Sequence, residues 1–185
     1  MATQAFVICG PTAVGKGTVI RELLAREPRI WLSISTTTRE PRAGEIDGQH
    51  YSFATPEEFD ELIDAGNMLE WATVHGVHRY GTPRQPVLEA IADDRPVLLE
   101  VDLAGARQVR ESFPEAVQIF ISPPTFEDLE ARLAMRGTEG PAERLRRLDT
   151  ARVELAAADE FDHIVVNDDV SRATDEILGI INAIR

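Results

Sequence analysis

Short apolar runs rich in β-branched residues recur along the chain at 6–9, 31–35, 97–101, 117–121 and 164–166. Between most of them, apolar residues fall at helical spacing. Strand and helix therefore alternate, which predicts an α/β fold with a parallel sheet covered by helices on both faces. Two stretches interrupt the alternation. From residue 36 to about 94 the chain turns polar, with Pro41, Gly44, Gly48 and Gly66 as turn signals. A helix fits 56–64, a short strand 68–74 and a second helix 84–92, so this stretch reads as a smaller unit inserted into the core. Residues 123 to about 150 hold a helix ending near Met135, a hinge-like run at 136–141 and a long helix rich in arginine. Arg132 and Arg136 share a helix face, and Arg144, Arg146 and Arg147 follow within three turns. Such a segment has the charge to fold over a bound phosphate chain.

Composition narrows the partners. With 185 residues the chain is long enough for one real hydrophobic core. Its formal net charge of −13 repels nucleic acid and anionic membrane, so any phosphate ligand must be held by a local cluster of bases. No apolar run is long enough to span a bilayer and residues 1–9 do not form a charged-then-apolar leader, so the expectation is a soluble cytoplasmic protein. The single cysteine, Cys9, lies in the first predicted strand, fits a reducing compartment and reads as a small core residue. His75 and His78 have no carboxylate or cysteine at metal-ligand spacing and are assigned to a polar loop.

One stretch dictates a chemistry by spacing alone. Gly10, Pro11, Thr12, Ala13, Val14, Gly15, Lys16, Gly17 and Thr18 follow the first apolar run and open a helical pattern. In a strand, glycine-rich loop and helix arrangement, backbone N–H groups and the helix N-terminus cradle phosphates while the lysine reaches the terminal ones. Lys16 is the only lysine in the chain. The position after it is Gly17, and the hydroxyl arrives one residue later at Thr18.

Residues 10–18 are joined by Ser35 to Glu45 (STTTREPRAGE), Gly48-Gln49-His50-Tyr51, Leu69-Glu70-Trp71-Ala72, Tyr80-Gly81-Thr82, Glu100-Val101-Asp102 and Asn167-Asp168-Asp169. In this order they resemble the guanylate kinase family over essentially the whole chain. The resemblance implies a five-stranded parallel core at 1–34, 95–122 and 151–185, a GMP-binding insertion at 35–94 and a helical lid at 123–150. It implies transfer of the ATP γ-phosphoryl group to GMP with Mg²⁺. Within it, Lys16 and the 10–18 loop hold ATP, with Thr18 touching phosphate. Arg39 and Arg42, with the phenols of Tyr51 and Tyr80, grip the GMP phosphate. Arg136 and Arg147 swing onto the transferring group, and Arg132 covers adenine.

The chemistry agrees. A GMP phosphate oxygen is already anionic and needs no general base, so alignment and charge neutralisation carry the reaction. Arginine forks suit that task. Guanine presents N1–H and N2–H donors beside the O6 acceptor: a carboxylate at Glu70 accepts both donors, and hydroxyls at Ser35 and Thr82 serve O6 or the neighbouring edge. Glu100 and Asp102 are expected on one side of a strand's end, where a carboxylate either holds water on Mg²⁺, reaches the acceptor nucleotide or caps a helix. Asn167 to Asp169 either contact the ATP base or cap the final helix. Two alternatives stay open at this level: a related kinase of a phosphorylated sugar such as ribose 1,5-bisphosphate, and a non-catalytic binding module. The first has no use for a base-reading Glu70, and the second none for Lys16 and the lid arginines.

Overall fold

A computed structural model describes residues 4–74, 76–136 and 140–184. In chain order, β1 (Ala5–Cys9) leads through the glycine-rich loop into α1 (Lys16–Arg26), then come β2 (Trp31–Leu32), β3 (Thr36–Thr37) and β4 (Ser52–Phe53). Next are α2 (Pro56–Asp64), β5 (Met68–Val74), β6 (His78–Pro83), α3 (Arg84–Ala92), β7 (Val97–Glu100) and α4 (Leu103–Ser112). The chain ends with β8 (Val117–Ser122), α5 (Phe126–Arg136), α6 (Pro141–Ala156), a 3₁₀ turn at Ala158–Glu160, β9 (His163–Val166) and α7 (Val170–Ile184).

Five strands form a wholly parallel sheet in the order β2-β7-β1-β8-β9. Every residue of β1 is buried, because its alternate side chains enter two different cores. Phe6 and Ile8 pack with Val19, Ile20 and Leu23 of α1, Leu129 of α5 and Ile177 and Ile181 of α7. Ala5, Val7 and Cys9 pack on the other face with Val87 of α3, Ala106 and Val109 of α4, and Phe161. Two-sided burial is why these strands are apolar at consecutive positions.

A second sheet, β4-β3-β6-β5, stands beside the first; β3 and β4 are parallel, and β6 runs antiparallel to both β3 and β5. The hydropathy pattern shows β5 and misses the other three. β6 is the clearest correction: His78, expected in a polar loop, opens this strand opposite Val74. Its residues are mostly polar, so backbone pairing to β3 and β5 holds it in place of an apolar face. His75 and the hinge at 137–139 lie outside the described residues, as does the side chain of Arg136.

The run at 31–35 is also shorter as a strand than expected. Ser33 N–H still donates to Leu98 O at 2.9 Å, but the chain then crosses to the second sheet, where Ser35 O accepts from Ser52 N–H at 2.9 Å. Ser35 thus sits at the seam between the sheets. The other seam is built from side chains of α4: the Gln108 amide donates to Trp71 O and accepts from Trp71 N–H, both at 3.0 Å, and Ser112 Oγ donates to Leu69 O at 2.5 Å. These contacts flank Glu70 and press its strand against α4.

On one face of the sheet, Phe120 of β8, fully buried, meets Phe161 at 5.1 Å between ring centres. Phe120→Ala should lower unfolding free energy by about 3–5 kcal/mol, read as a shift of the urea midpoint with an unchanged slope. A shift under about 1 kcal/mol would mean that this face of the sheet is not the close-packed core described.

Candidate functional site

The glycine-rich loop leaves the carboxyl end of β1 between the ends of β7 and β8, where ligands gather in open parallel sheets. Gly10 permits the turn. Its φ is +150°, and a Cβ there would lie 2.3 Å from the Ile121 carbonyl oxygen of β8. The loop is braced at Val14, whose carbonyl accepts from Arg132 Nη1 at 3.0 Å and from Asn167 Nδ2 at 2.8 Å. Arg132 Nη2 also donates to Asn167 O at 2.9 Å. The fork for which the resemblance implied a place over adenine is thus spent on main-chain carbonyls. Asp169 caps α7, accepting from Arg172 N–H at 2.9 Å, and Asp168 pairs with the Arg172 side chain. Within the Asn167 to Asp169 run, then, one residue braces the loop and another caps the helix.

Lys16 opens α1, and its ammonium donates to Gly10 O at 2.5 Å. It borders two cavities. One, of about 270 Å³, is lined by Pro11, Thr12, Ala13, Gly15, Gly17, Thr18 and Arg21 together with Lys16 and Glu100. The other, of about 460 Å³, is lined by Ser33, Ser35, His50, Tyr51 and Asp102, again with Lys16 and Glu100. The two spaces therefore meet at a lysine and a carboxylate.

In the second sheet Arg39 is nearly buried and fully engaged. Its Nη1 and Nη2 donate to the two Glu45 oxygens, each at 2.9 Å, and its Nε donates to the Tyr80 hydroxyl at 3.1 Å. The guanidinium carbon lies 5.3 Å from the Tyr51 ring centre. Arg39, Tyr51 and Tyr80 are therefore one cluster, as expected, and Arg42 joins it through its backbone N–H, which donates to Glu45 at 2.7 Å. Arg39, then the Arg42 backbone bond, hold the Glu45 carboxyl down at about 2. Glu45 has no role assigned from sequence; its signal is a carboxylate a few residues from two arginines in one turn-rich stretch.

Glu70 and Thr82 face each other across β5 and β6, and Thr82 Oγ1 donates to Glu70 Oε1 at 2.6 Å. Burial pushes the Glu70 carboxyl up, while the Thr82 bond pulls the other way. The other oxygen approaches the first turn of α4 over Gly105, where a Cβ would stand 3.2 Å from Oε2. Gly105 was not singled out by sequence. Asp102 is corrected: β7 stops at Glu100, and Asp102 is the N-cap of α4, its Oδ1 accepting from Gly105 N–H at 2.7 Å. The capping alternative holds for that oxygen, while the residue still lines the larger cavity.

On α6, Arg147 Nη1 donates to Thr12 Oγ1 at 3.2 Å and pairs with Glu143. The same helix carries Glu154, also missed, whose Oε2 is buried with no hydrogen-bond partner among the described residues and whose carboxyl is pushed up by burial. Its signal is an acidic residue on the face that carries Ala151, which is buried. Among the described residues no group of three or more His, Cys, Asp or Glu could hold a metal ion. The Cys9 thiol is buried and pushed up to about 12 by desolvation, so it is inert packing.

The family model for guanylate kinase matches residues 2–184. The chain belongs to the guanylate kinase family. A guanylate kinase of Cutibacterium acnes is 57% identical over 95% of this chain and 88% of its own length. One from Mycobacterium sp. (strain MCS) is 55% identical over 95% and 89%. Among solved structures, the guanylate kinase from Anaplasma phagocytophilum superposes with a TM-score of 0.73 at 31% identity, covering 98% of this chain and 86% of that one. A shikimate kinase from Bacteroides thetaiotaomicron, 11% identical with a TM-score of 0.52, shares the fold alone. Guanylate kinase membership disfavours both the sugar-phosphate kinase and the binding-module alternatives.

The Arg39–Glu45 pair makes a pH prediction for this guanylate kinase. Because the folded value of Glu45 lies below its ordinary 4.5, the stability it contributes is fully present above about 4.5 and is lost as pH falls through about 2. Glu45→Gln should therefore flatten the fall in Tm between those pH values. An unchanged acid slope would show that the pair does not persist in solution.

Proposed function

We propose that the smaller cavity takes Mg-ATP, the larger one GMP, and that the γ-phosphoryl group passes directly between them to give ADP and GDP. The observation that carries this reading is that the two cavities share Lys16 and Glu100. An in-line transfer needs donor and acceptor phosphates to converge on one point, with a positive charge there. Lys16 supplies that charge by exchanging the Gly10 carbonyl for the terminal phosphates of ATP, which also meet the loop amides and Thr18.

On the acceptor side, the GMP phosphate replaces Glu45 in the Arg39 fork, with Arg42, Tyr51 and Tyr80 completing the grip. Glu70 accepts from guanine N1–H and N2–H, while Thr82 and Ser35 address the O6 edge. Adenine would leave the buried carboxylate without the two guanine donors, a loss that discriminates far beyond tenfold. Residues 35–94 then form the GMP-binding unit and 123–150 a lid, which brings Arg147 and Arg136 to the transferring group. Thr18, Glu100 and Asp102 would hold a hydrated Mg²⁺ through water, since no group of three or more His, Cys, Asp or Glu among the described residues could cage it, and the ion would supply charge neutralisation. The acidic composition and buried single cysteine favour a cytoplasmic setting, and among the described residues no helix is long and apolar enough to cross a membrane.

A coupled assay of ADP release with Mg-ATP against GMP, AMP, CMP, UMP and ribose 1,5-bisphosphate should give turnover with GMP. Turnover with the sugar phosphate alone would overturn the base-reading role of Glu70. Lys16→Ala should cut kcat by about 10²–10³; activity within a few-fold of the parent removes the lysine from the transfer step. Glu70→Gln should raise the KM for GMP at least tenfold with little change for ATP, because one acceptor becomes a donor. Equal effects on both KM values would take Glu70 out of the base pocket.

A further inference from the structure

β5 is the outer strand of the second sheet, so one of its edges has no strand beside it. Side chains of α4 take that edge instead. Gln108 donates through Nε2 to Trp71 O and accepts at Oε1 from Trp71 N–H, both at 3.0 Å, so one amide supplies the pair of bonds that a neighbouring strand would give. A carboxamide suits this because it carries a donor and an acceptor side by side. About one turn further on, Ser112 Oγ donates to Leu69 O at 2.5 Å.

Glu70 stands between the two anchored residues. The register of β5 against β6 shifts between Met68 and Glu70, an irregularity of the kind that re-aims the side chain beside it. Within the sheet, the Thr82 hydroxyl fixes Glu70 Oε1 at 2.6 Å. Oε2 lies instead against α4, where a Cβ on Gly105 would stand 3.2 Å from it. Gly105 and Gln108 are about one turn apart on that helix, so the element that holds the backbone of β5 is also the surface on which the second oxygen rests. A carboxylate that meets two N–H donors at once depends on both oxygens being aligned.

We propose that Gln108 is a positioning residue for Glu70: it ties the irregular stretch of β5 to α4, with Ser112 as the second tie, and so sets the preference for a base that presents two adjacent N–H donors. The inference deepens the base-reading role proposed for Glu70 and rests on it. Gln108 acts through the Trp71 backbone, on which its amide is already spent.

The test compares the parent with Gln108→Met, which keeps length and helix propensity but loses donor and acceptor, and with Ser112→Ala, which removes the other tie. Trp71 is exposed, so water can take over its backbone groups and the Met variant should fold. The acceptors are GMP and inosine monophosphate, which keeps N1–H and O6 but lacks the 2-amino group. With Mg-ATP, Gln108→Met should raise the KM for GMP about tenfold, the scale of one bond to a charged acceptor, with the KM for ATP within about twofold and kcat within about threefold of the parent. The KM for inosine monophosphate should rise less than about threefold, so the preference for GMP falls. Ser112→Ala should move that preference about threefold in the same direction. In a Glu70→Gln background, Gln108→Met should change the KM for GMP by no more than about twofold, because no carboxylate is left to place. Without nucleotides, hydrogen exchange at the Trp71 amide should quicken about tenfold in the Met variant. The inference is overturned if the parent prefers GMP over inosine monophosphate and both variants keep that preference, if the KM for ATP rises as much as that for GMP, if the effects of Gln108→Met and Glu70→Gln are additive, or if Trp71 exchange does not move. A parent with no preference for GMP over inosine monophosphate would sink the base-reading role of Glu70 itself, and this inference with it.

Discussion

The site depends on one close approach: the backbone at Gly10 passes so near the Ile121 carbonyl that no side chain fits between them. That approach lets the chain leave β1 and turn over the end of the sheet before α1 begins. It also puts the loop amides at the carboxyl ends of three parallel strands, where side chains from β7 and from the segment after β9 arrive without further bending. Glu100 comes from the first and Asn167 from the second. The loop is then held at its crown, Val14, by donors from α5 and from the β9–α7 connection. Phosphate recognition here is thus a property of the sheet's edge, with the loop as its visible part.

Electrostatics imposes the second constraint. In a chain of net charge −13, the arginines assigned above to the nucleotide phosphates are already paired to carboxylates. Arg39 is held by Glu45, and Arg147 by Glu143. Such pairing orders the forks and avoids a dense cluster of uncompensated positive charge. On the proposed reading it makes binding an exchange of one anion for another. Affinity for the phosphate then reflects the difference between the two partners, which favours geometry over raw charge. Lys16 follows the same logic with a carbonyl as its temporary acceptor.

Periodicity made the parallel core legible, because strands such as β1 are buried on both faces and so apolar at every position. Helices α2 and α3 and strand β5 were legible at their full extents for a related reason: Thr55 and Pro56 mark one start, and each element carries enough apolar residues to show its period. β3, β4 and β6 were not, since two are only two residues long and the third is mostly polar and held by its neighbours' backbones. At the site, the residues carried by motifs were legible as neighbours: Arg39, Tyr51 and Tyr80 form one cluster, and Thr82 pairs with Glu70. What escaped were the residues that act on other residues. Glu45 and Gly105 have no motif, because their parts depend on distances across the fold. Asp102 shows the same limit from the other side: alternation placed it on a strand, whereas a strand that stops at Glu100 makes it a helix cap.

Glu70 joins these points. A carboxylate that reads guanine has to be dry enough for its bonds to matter, yet dryness favours its neutral form, which would present a donor where an acceptor is needed. The Thr82 side chain and backbone act against that outcome, while the Asp102 carboxylate at the start of α4 adds to it. The approach of Oε2 to α4 leaves little room for a side chain at 105, and the strand carrying Glu70 is clamped to α4 by Gln108 and Ser112 on either side of it. If Glu70 reads guanine as proposed, base selectivity is built by the seam between the two sheets as much as by the carboxylate itself, because the residues that place its second oxygen, Gly105 and Gln108, belong to that seam.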